Sequence, residues 1–392
     1  MEIANRKLYK KSPFVTIYIA TFLAAFHVFL MTYINSSFLS QFISEKSVGI
    51  LFAIGSLASI AALIIIPIIL RVLGNYLTII GLTILEIFIL LGMAFIKEAT
   101  VVIPLFVAHW VVFQLMFINM DVFFESSQKE ESDTGSKRGI LLTIINAALI
   151  FSILLVGFIL KDSEFWRVYL TSVGILIPFL LIVLIKFRKF KDPIYESPKI
   201  LNTIKKVRNS KPIRNIFISQ LFLKFFYSWM VVYMPIYLHN HIGFDWPQIS
   251  IIFTIMLLPF VLLEVPAGHL ADKLWGEKEL LSAGFIITAL FTMIIPFIGI
   301  ASFVLWTVIL FATRTGASLI EITTESYFFK HVQGDDADVI SFFRMTRPLA
   351  YIAGPIAAII ALEFLPFQYI FLVLGVIMLF GLKYAFALKD TR

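Results

Sequence analysis

Long apolar stretches separated by short polar segments recur along the whole chain. Most are about 20 residues long, the length that an α-helix needs to cross roughly 30 Å of hydrocarbon. Because backbone polar groups cannot bond to lipid, such stretches are predicted to be helices rather than open strands. Twelve transmembrane helices are expected, at about 14–34, 47–70, 76–96, 101–124, 139–160, 166–187, 213–238, 247–270, 279–299, 302–328, 339–362 and 366–388.

The composition also indicates an integral membrane protein. The 392 residues are 60% hydrophobic and 15% charged, and their mean hydropathy is +0.94. Soluble domains are nearer half apolar and a quarter charged, so lipid is expected to cover most of this surface. Cysteine is absent, which excludes disulfides, thiol nucleophiles and thiolate metal sites.

The basic residues predict the orientation in the membrane. The apolar run that follows the basic segment 6–11 is too long for a cleaved signal peptide, so it is expected to remain as the first helix. Most of the 32 Lys and Arg residues lie in the N-terminal tail and in loops on that same side. The positive-inside rule therefore predicts cytoplasmic termini, in the plasma (inner) membrane of a prokaryote. Since topology explains the basic residues, no nucleic-acid partner is expected.

Several residues recur 200 positions later, at equivalent places in the predicted helices. Tyr33 corresponds to Tyr233, and Glu45 corresponds to Asp245. Asp121-x-x-x-Glu125-Ser126 corresponds to Glu321-x-x-x-Glu325-Ser326. A register held across several helices indicates a duplication. We therefore expect an all-α fold of two six-helix bundles related by a pseudo-two-fold axis, residues 1–187 and 213–392, joined by a cytoplasmic linker at 188–212.

The loop after the eighth predicted helix carries the most specific motif. Residues 268–278 read Gly-His-Leu-Ala-Asp-Lys-Leu-Trp-Gly-Glu-Lys. This loop resembles the Gly-x-x-x-Asp-Arg-x-Gly-Arg-Lys loop of the major facilitator superfamily, with one extra residue before the second glycine. In the equivalent loop after the second helix, Leu70 stands where that family has Asp. The resemblance covers essentially the whole chain, and implies that family's fold and a solute site between the halves. The motif residues are Gly268, Asp272, Lys273 and Gly276.

Two glutamates end the fourth and tenth predicted helices on the cytoplasmic side. Ionisable residues within a membrane are costly and tend to face protein or water. We interpret Glu125 and Glu325 as a cytoplasmic gate, in which each pairs with a basic residue when that side closes. Direct binding of substrate or protons is the alternative. The other expected gate residues are Arg71, Asp272, Lys273, Arg138, Arg344 and Arg347.

Five further residues are candidates for coupling or substrate binding. Asp121 and Glu321 lie one turn deeper than the gate glutamates, where burial beside a second carboxylate would favour proton exchange; membership of the gate is the other interpretation. Arg314 is expected to bind Glu321, Glu325 or an acidic group of the substrate. Lys224 is expected to reach the cytoplasmic surface, or to oppose Asp121 across the cavity. His27 is interpreted as a packed residue, with a proton relay as the alternative.

The helices that line the cavity in the resembled family carry polar and aromatic side chains in this chain. A cavity rich in aromatic residues suits a neutral or amphipathic organic solute. We therefore predict a non-enzymatic secondary active transporter, monomeric, proton-coupled and exporting, without cofactor or metal. Uptake of a sugar-like solute by a symporter or uniporter, and a non-transporting receptor or scaffold, are the alternatives. The cavity candidates are Tyr33, Gln114, Asn119, Tyr227, Trp229 and Tyr233.

Overall fold

The computed structural model describes residues 13–127, 134–195, 200–263, 276–331 and 337–388, and within these ranges the ordered elements are helices. Before the linker they are α1 (Pro13–Thr32), α2 (Asn35–Leu39), α3 (Glu45–Phe95), α4 (Ala99–Ser126), α5 (Thr134–Ile159) and α6 (Trp166–Lys186). The linker contains α7 (Ile200–Asn209). After it follow α8 (Lys211–Ile236), a π-helical turn (Tyr237–Ile242), α9 (Trp246–Leu262), α10 (Glu277–Ile294), a 3₁₀ turn (Ile295–Phe297), α11 (Phe303–His331), α12 (Ala337–Arg344), α13 (Thr346–Phe364), a second 3₁₀ turn (Phe367–Tyr369), α14 (Ile370–Leu379) and α15 (Gly381–Phe386).

Ten of the described helical segments are long and apolar enough to cross a membrane. One of them, α3, covers two predicted spans, and its backbone leaves helical geometry at Gly74, where φ is 73° and ψ is 163°. Glycine adopts a positive φ without steric cost, so the expected loop between these spans is reduced to a sharp break at one residue. Helix α9 is apolar but has only 17 residues within the described range. The all-α membrane fold is confirmed, and the count of twelve stays a prediction.

The helices form two packed sets. Before the linker, α3 packs on α4 and α6, and α1 packs on α5 and α6; we call α1–α6 the N-half. After the linker, α10 packs on α11 and α14, and α8 packs on α13; we call α8–α15 the C-half. The sets meet mainly where α3 crosses α13 and α5 crosses α9, and α2 and α3 make smaller contacts with α8. The end of the bundle that carries α7 is called the linker side below, and the other end the opposite side.

Glu45 and Asp245, which correspond to each other in the predicted repeat, have different roles in the structure. Asp245 caps α9: its carboxylate accepts a hydrogen bond from Gln248 N at 2.9 Å, and the Gln248 side chain accepts one in return from Asp245 N. Such a capping box satisfies two backbone donors at a helix start. Glu45 instead accepts hydrogen bonds from the C-half, because Ser44 already caps α3.

Candidate solute site and gates

A charged cluster lies where α8 and α11 face each other. Lys224 Nζ lies 2.6 Å from Glu321 Oε1, and the Tyr227 hydroxyl donates to Glu321 Oε2 at 2.9 Å. Lys224 and Tyr227 are three residues apart and therefore share one face of α8. The side chains of Lys224 and Glu321 are 16% and 26% exposed, so water reaches this pair.

This pairing corrects two expectations. Lys224 binds a carboxylate inside the C-half rather than extending to the surface. Glu321 is paired with Lys224 and Tyr227, rather than held beside Glu325. The physical reason is that a charge withdrawn from bulk water is much less costly when an opposite charge and a hydrogen-bond donor satisfy it.

Arg314 is the most deeply buried cation of the cluster, at 1% exposure. Its guanidinium lies over the rings of Phe226 and Tyr227, 5.0 and 5.2 Å from their centroids. Its Nε and Nη1 atoms have no hydrogen-bond partner among the described residues. Of the anions expected for Arg314, Glu321 is instead bound by Lys224 and Tyr227 in this structure.

The N-half contributes Tyr33 to this cluster. Tyr33 follows the end of α1, interacts electrostatically with Arg314 and Arg347, and is close enough to Arg314 for a side-chain hydrogen bond. Its ring also packs against Phe253 of α9, with centroids 4.8 Å apart. Residues of both halves therefore form the cluster, which we call the central site: Tyr33, Lys224, Phe226, Tyr227, Arg314 and Glu321.

The linker side of the seam between the halves is exposed. Asp121, Glu125 and Arg347 are all exposed there, so the expectation that Asp121 is buried is wrong. Arg344 Nη1 lies 2.6 Å from Glu325 Oε1, which brings two of the expected gate residues together within the C-half.

Of the remaining gate and loop residues, Arg71 and Gly276 lie in the described part of the structure. Arg71 is exposed, and its Nε donates to Pro67 O at 3.3 Å. Gly276 is buried and precedes the first residue of α10. The residues Gly268, Asp272 and Lys273, and the side chain of Arg138, lie outside the described part of the structure.

The opposite side of the seam is closed by polar contacts between the halves. Glu45 accepts hydrogen bonds from Asn240 at 2.7 Å and from His241 at 2.9 Å. Lys46 forms an ion pair with Glu363. These contacts join the start of α3 to the C-half.

Three of the expected cavity residues are buried in the structure. Trp229 is fully buried within the C-half, where its Nε1 donates to Gly354 O at 2.6 Å. Tyr233 is also fully buried, and Asn119 is buried where α4 packs on α3 and donates to Leu115 O. A helix that is apolar on all sides offers no pattern that separates cavity-facing from packed positions. Gln114 is half-buried and donates to Ser59 Oγ at 2.8 Å.

The comparisons with known proteins agree with this geometry. A sequence model of the Major Facilitator Superfamily matches residues 216–392. The solved structure of the nucleoside transporter NupG superposes with a TM-score of 0.75 at 13% identity, over 96% of this chain and 100% of that one. The C-half thus matches the Major Facilitator Superfamily in sequence, and the whole chain has the fold of a solved transporter. No curated protein matches it by sequence.

Two other solved structures have the same superfamily fold. An auto-inhibited peptide transporter of the POT family superposes with a TM-score of 0.74 at 12% identity, over 97% of this chain and 98% of that one. A bacterial homologue of the human lysosomal transporter Spinster, in an inward-facing and unoccupied conformation, has a TM-score of 0.71 at 12% identity, over 97% of this chain and 94% of that one. At these identities the likeness establishes the fold.

The N-half also has a buried acidic group that sequence reasoning missed. Glu86 of α3 is fully buried between His109 of α4 and His27 of α1. His109 Nδ1 lies 2.5 Å from Glu86 Oε1, and His27 Nε2 lies 3.8 Å from the same oxygen. We call these three residues the buried triad. Its signal in the sequence is a single glutamate inside the apolar run 76–96.

The linker contacts α3 close to Leu70, the position where the resembled loop has Asp. Asp192 Oδ1 accepts a hydrogen bond from Asn75 N at 2.7 Å, and the Tyr195 hydroxyl donates to the same oxygen at 2.5 Å. Asn75 follows the break at Gly74 and begins the second part of α3. A carboxylate is thus supplied to this helix start from the linker, at the loop where the family's own Asp is missing.

Proposed function

We propose that the protein is a secondary active transporter of a small amphipathic organic anion. It works by alternating access, in which the N-half and the C-half rock about the central site. The solute's anionic group binds Arg314, and its apolar part lies against the aromatic rings. We propose further that protons drive the transport, and that the direction is export.

The observation that carries this proposal is the unsatisfied guanidinium of Arg314. A buried ionised group without a partner is strongly destabilising, yet Nε and Nη1 of Arg314 have no hydrogen-bond partner among the described residues. A carboxylate or phosphate on a bound solute would satisfy both donors, since a guanidinium presents paired N–H groups that match such anions.

The charges around Arg314 favour an anion as well. Lys224 and Glu321 neutralise each other, whereas the guanidinium of Arg314 lies over the aromatic rings of Phe226 and Tyr227. The central site thus has an unneutralised positive charge at its deepest point. Phe226, Tyr227 and Tyr33 offer flat apolar surface beside it, which suits a solute with an aromatic or aliphatic body.

The membrane potential supports the proposed direction. With the linker side in the cytoplasm, as the basic residues predict, an anion leaves a cell whose interior is negative. One elementary charge that crosses the membrane gains about 2.3 kcal/mol per 100 mV. Export of an anion is therefore helped by the potential, whereas uptake would require additional protons.

A thermal-shift experiment with matched ligands tests the solute class. Purified protein is heated with aromatic carboxylates and, separately, with their primary amides, which have nearly the same shape but no charge. The carboxylate is expected to raise Tm, because at one hundred times Kd a ligand stabilises the folded state by about 2.7 kcal/mol. The amide is expected to have little effect, and Arg314→Gln is expected to abolish the shift. The matched control is Arg188→Gln, which removes an exposed linker arginine.

Transport is measured next, as accumulation of the stabilising carboxylate in proteoliposomes. Equal stabilisation by carboxylate and amide, or a full response in Arg314→Gln, would contradict the proposed solute class. Binding without any movement across the membrane would instead support the receptor or scaffold interpretation.

A further inference from the structure

The buried triad contains carboxylate and imidazole atoms that could bind a proton. Its three side chains are at most 1% exposed. Glu86 Oε2 and both ring nitrogens of His27 have no hydrogen-bond partner among the described residues. A fully buried carboxylate flanked by an unbonded imidazole is costly to retain, and packing alone would be served better by apolar side chains of similar size.

The possible charge states of the triad favour one exchangeable proton. With one proton, the three groups are neutral overall, either as a carboxylate with one imidazolium or as a carboxylic acid with two neutral imidazoles. Loss of that proton leaves a buried charge of −1, and gain of a second leaves +1. Because unbalanced buried charge is expensive, the site is expected to exchange single protons rather than pairs.

The surroundings of the triad supply no competing charge. Among the described residues, the charged groups that act on Glu86 are His109 from α4 and His27 from α1. Helix α6, which packs on α1 and α3, contributes the neutral Ser172, whose hydroxyl donates to the backbone oxygen of His27 at 3.1 Å. The ring of Phe113 packs on His109, with centroids 5.3 Å apart. Proton occupancy is thus decided by the three members themselves.

Helix α1 connects the triad to the seam between the halves. It carries His27 in its interior, and Tyr33, which faces Arg314 of the C-half, follows its end. The 3.8 Å separation of His27 Nε2 from Glu86 Oε1 exceeds a charge-assisted hydrogen bond, about 2.7–2.9 Å, by roughly 1 Å. Closing that gap moves α1 relative to α3.

We propose that the buried triad is the proton-binding site that couples proton movement to the rearrangement of the two halves. A proton that binds there draws His27 onto Glu86, and the displacement of α1 alters the contact of Tyr33 with Arg314. Release of the proton restores the 3.8 Å separation. The inference rests on the proposed function, because it requires a protein that alternates between two arrangements.

The experiment measures distances between the halves as a function of pH, with no solute added. The chain contains no cysteine, so pairs of engineered cysteines accept spin labels without background. One pair replaces Leu73 and Phe386, which are exposed at the linker side. The other replaces Lys97 and Ile300, which are exposed at the opposite side. Both are measured by double electron–electron resonance in lipid nanodiscs between about pH 5 and pH 9, the range over which histidine changes charge.

In the wild-type background, the two label distances are expected to change in opposite directions with pH. The labels of one pair move apart while those of the other pair move closer together. Glu86→Gln is expected to fix one set of distances at every pH. The matched control is Thr83→Val, which changes a fully buried residue of the same helix without altering a titratable group. His27→Gln is the second variant if Glu86→Gln does not fold, since His27 has no side-chain hydrogen bond to lose.

Two results would overturn the inference in distinguishable ways. If Glu86→Gln and His27→Gln keep the wild-type response to pH, the triad does not couple protons, and the proposed function stands. If the distances never change, even in a variant that forces the opposite side open, the alternating-access proposal fails as well.

Discussion

Lys224 Nζ lies 2.6 Å from Glu321 Oε1, and both side chains are partly exposed. The pair has a consequence for Arg314, the nearby cation that Glu321 was expected to bind. Lys224 and Tyr227 bind Glu321, whereas Nε and Nη1 of Arg314 have no hydrogen-bond partner among the described residues. The ion pair therefore sets the charge of the central site.

A double-mutant cycle on this pair is expected to show coupling. Lys224→Met and Glu321→Gln should each destabilise the folded protein, while the double variant should be more stable than the sum predicts. The coupling free energy is expected within about 0.5–3 kcal/mol, towards the lower end because both side chains are partly exposed. Thermal unfolding in detergent measures it, and additive effects would show that the two charges act independently.

Gly49 is expected to be essential for closing the opposite side. A Cβ atom at this position would lie 2.1 Å from Tyr233 Oη and 3.2 Å from Pro355 Cβ, both in the C-half. Tyr233 is fully buried, so it has little room to move. Gly49→Leu should hold that side open, lengthen the distance between labels at Lys97 and Ile300, and reduce transport at least tenfold.

Gly81→Leu is the matched control, because nothing lies within 4 Å of a Cβ built there and the residue belongs to the same helix. It is expected to leave both the label distances and transport near the wild-type values. Equal effects of the two leucine substitutions would show that Gly49 is sensitive for reasons unrelated to contact between the halves.

Asp192 is expected to hold the linker against α3. Its carboxylate accepts hydrogen bonds from Asn75 N and from Tyr195, and such bonds contribute about 1 kcal/mol each in typical cases. Asp192→Asn should therefore speed tryptic cleavage of the linker roughly fivefold. Tyr195→Phe removes only one of the two bonds and is expected to have the smaller effect; the reverse order would contradict this assignment.

The same contact has a predicted pH dependence. Burial, and then the hydrogen bond to Asp192, raise the pKa of Tyr195 above the ordinary tyrosine value of 10.0. When folding raises the pKa of a group, that group stabilises the folded form at every pH below its pKa in the unfolded chain. This stabilisation is lost as the pH rises through the pKa of the group in the folded form. The linker contact is thus expected to be fully formed at neutral pH and to weaken only in strongly alkaline solution. The prediction would be contradicted if the protease sensitivity of the wild-type linker rose between about pH 7 and pH 9 while that of Tyr195→Phe did not.

The sequence predicted the fold because lipid imposes strong rules. Apolar runs of about 20 residues must be helices in a bilayer, and the 268–278 loop indicated the superfamily. The pairing of Lys224 was not predictable, since its partner Glu321 is 97 residues away and only tertiary packing selects it. The contact of Asp192 with Asn75 joins segments 117 residues apart, which no local motif reveals.

Some site residues were recognisable in the sequence and others were not. Glu86 interrupts an apolar run, and intramembrane acidic residues are functional candidates by default, so inspection of every span would have found it. Trp229 and Tyr233 could not be separated from cavity residues, because α8 is apolar on nearly all faces and no periodicity marks the side that contacts α13.

The most direct test measures how accessible the central site is from each side of the membrane. Tyr227→Cys, as the single cysteine of the chain, is alkylated in sealed, oriented vesicles by a membrane-impermeant maleimide added to one side or the other. Alternating access predicts that Gly49→Leu raises the rate of labelling from the opposite side and lowers the rate from the linker side. Rates that rise or fall together on both sides, or that Gly49→Leu leaves unchanged, would contradict two halves that rock about a common site.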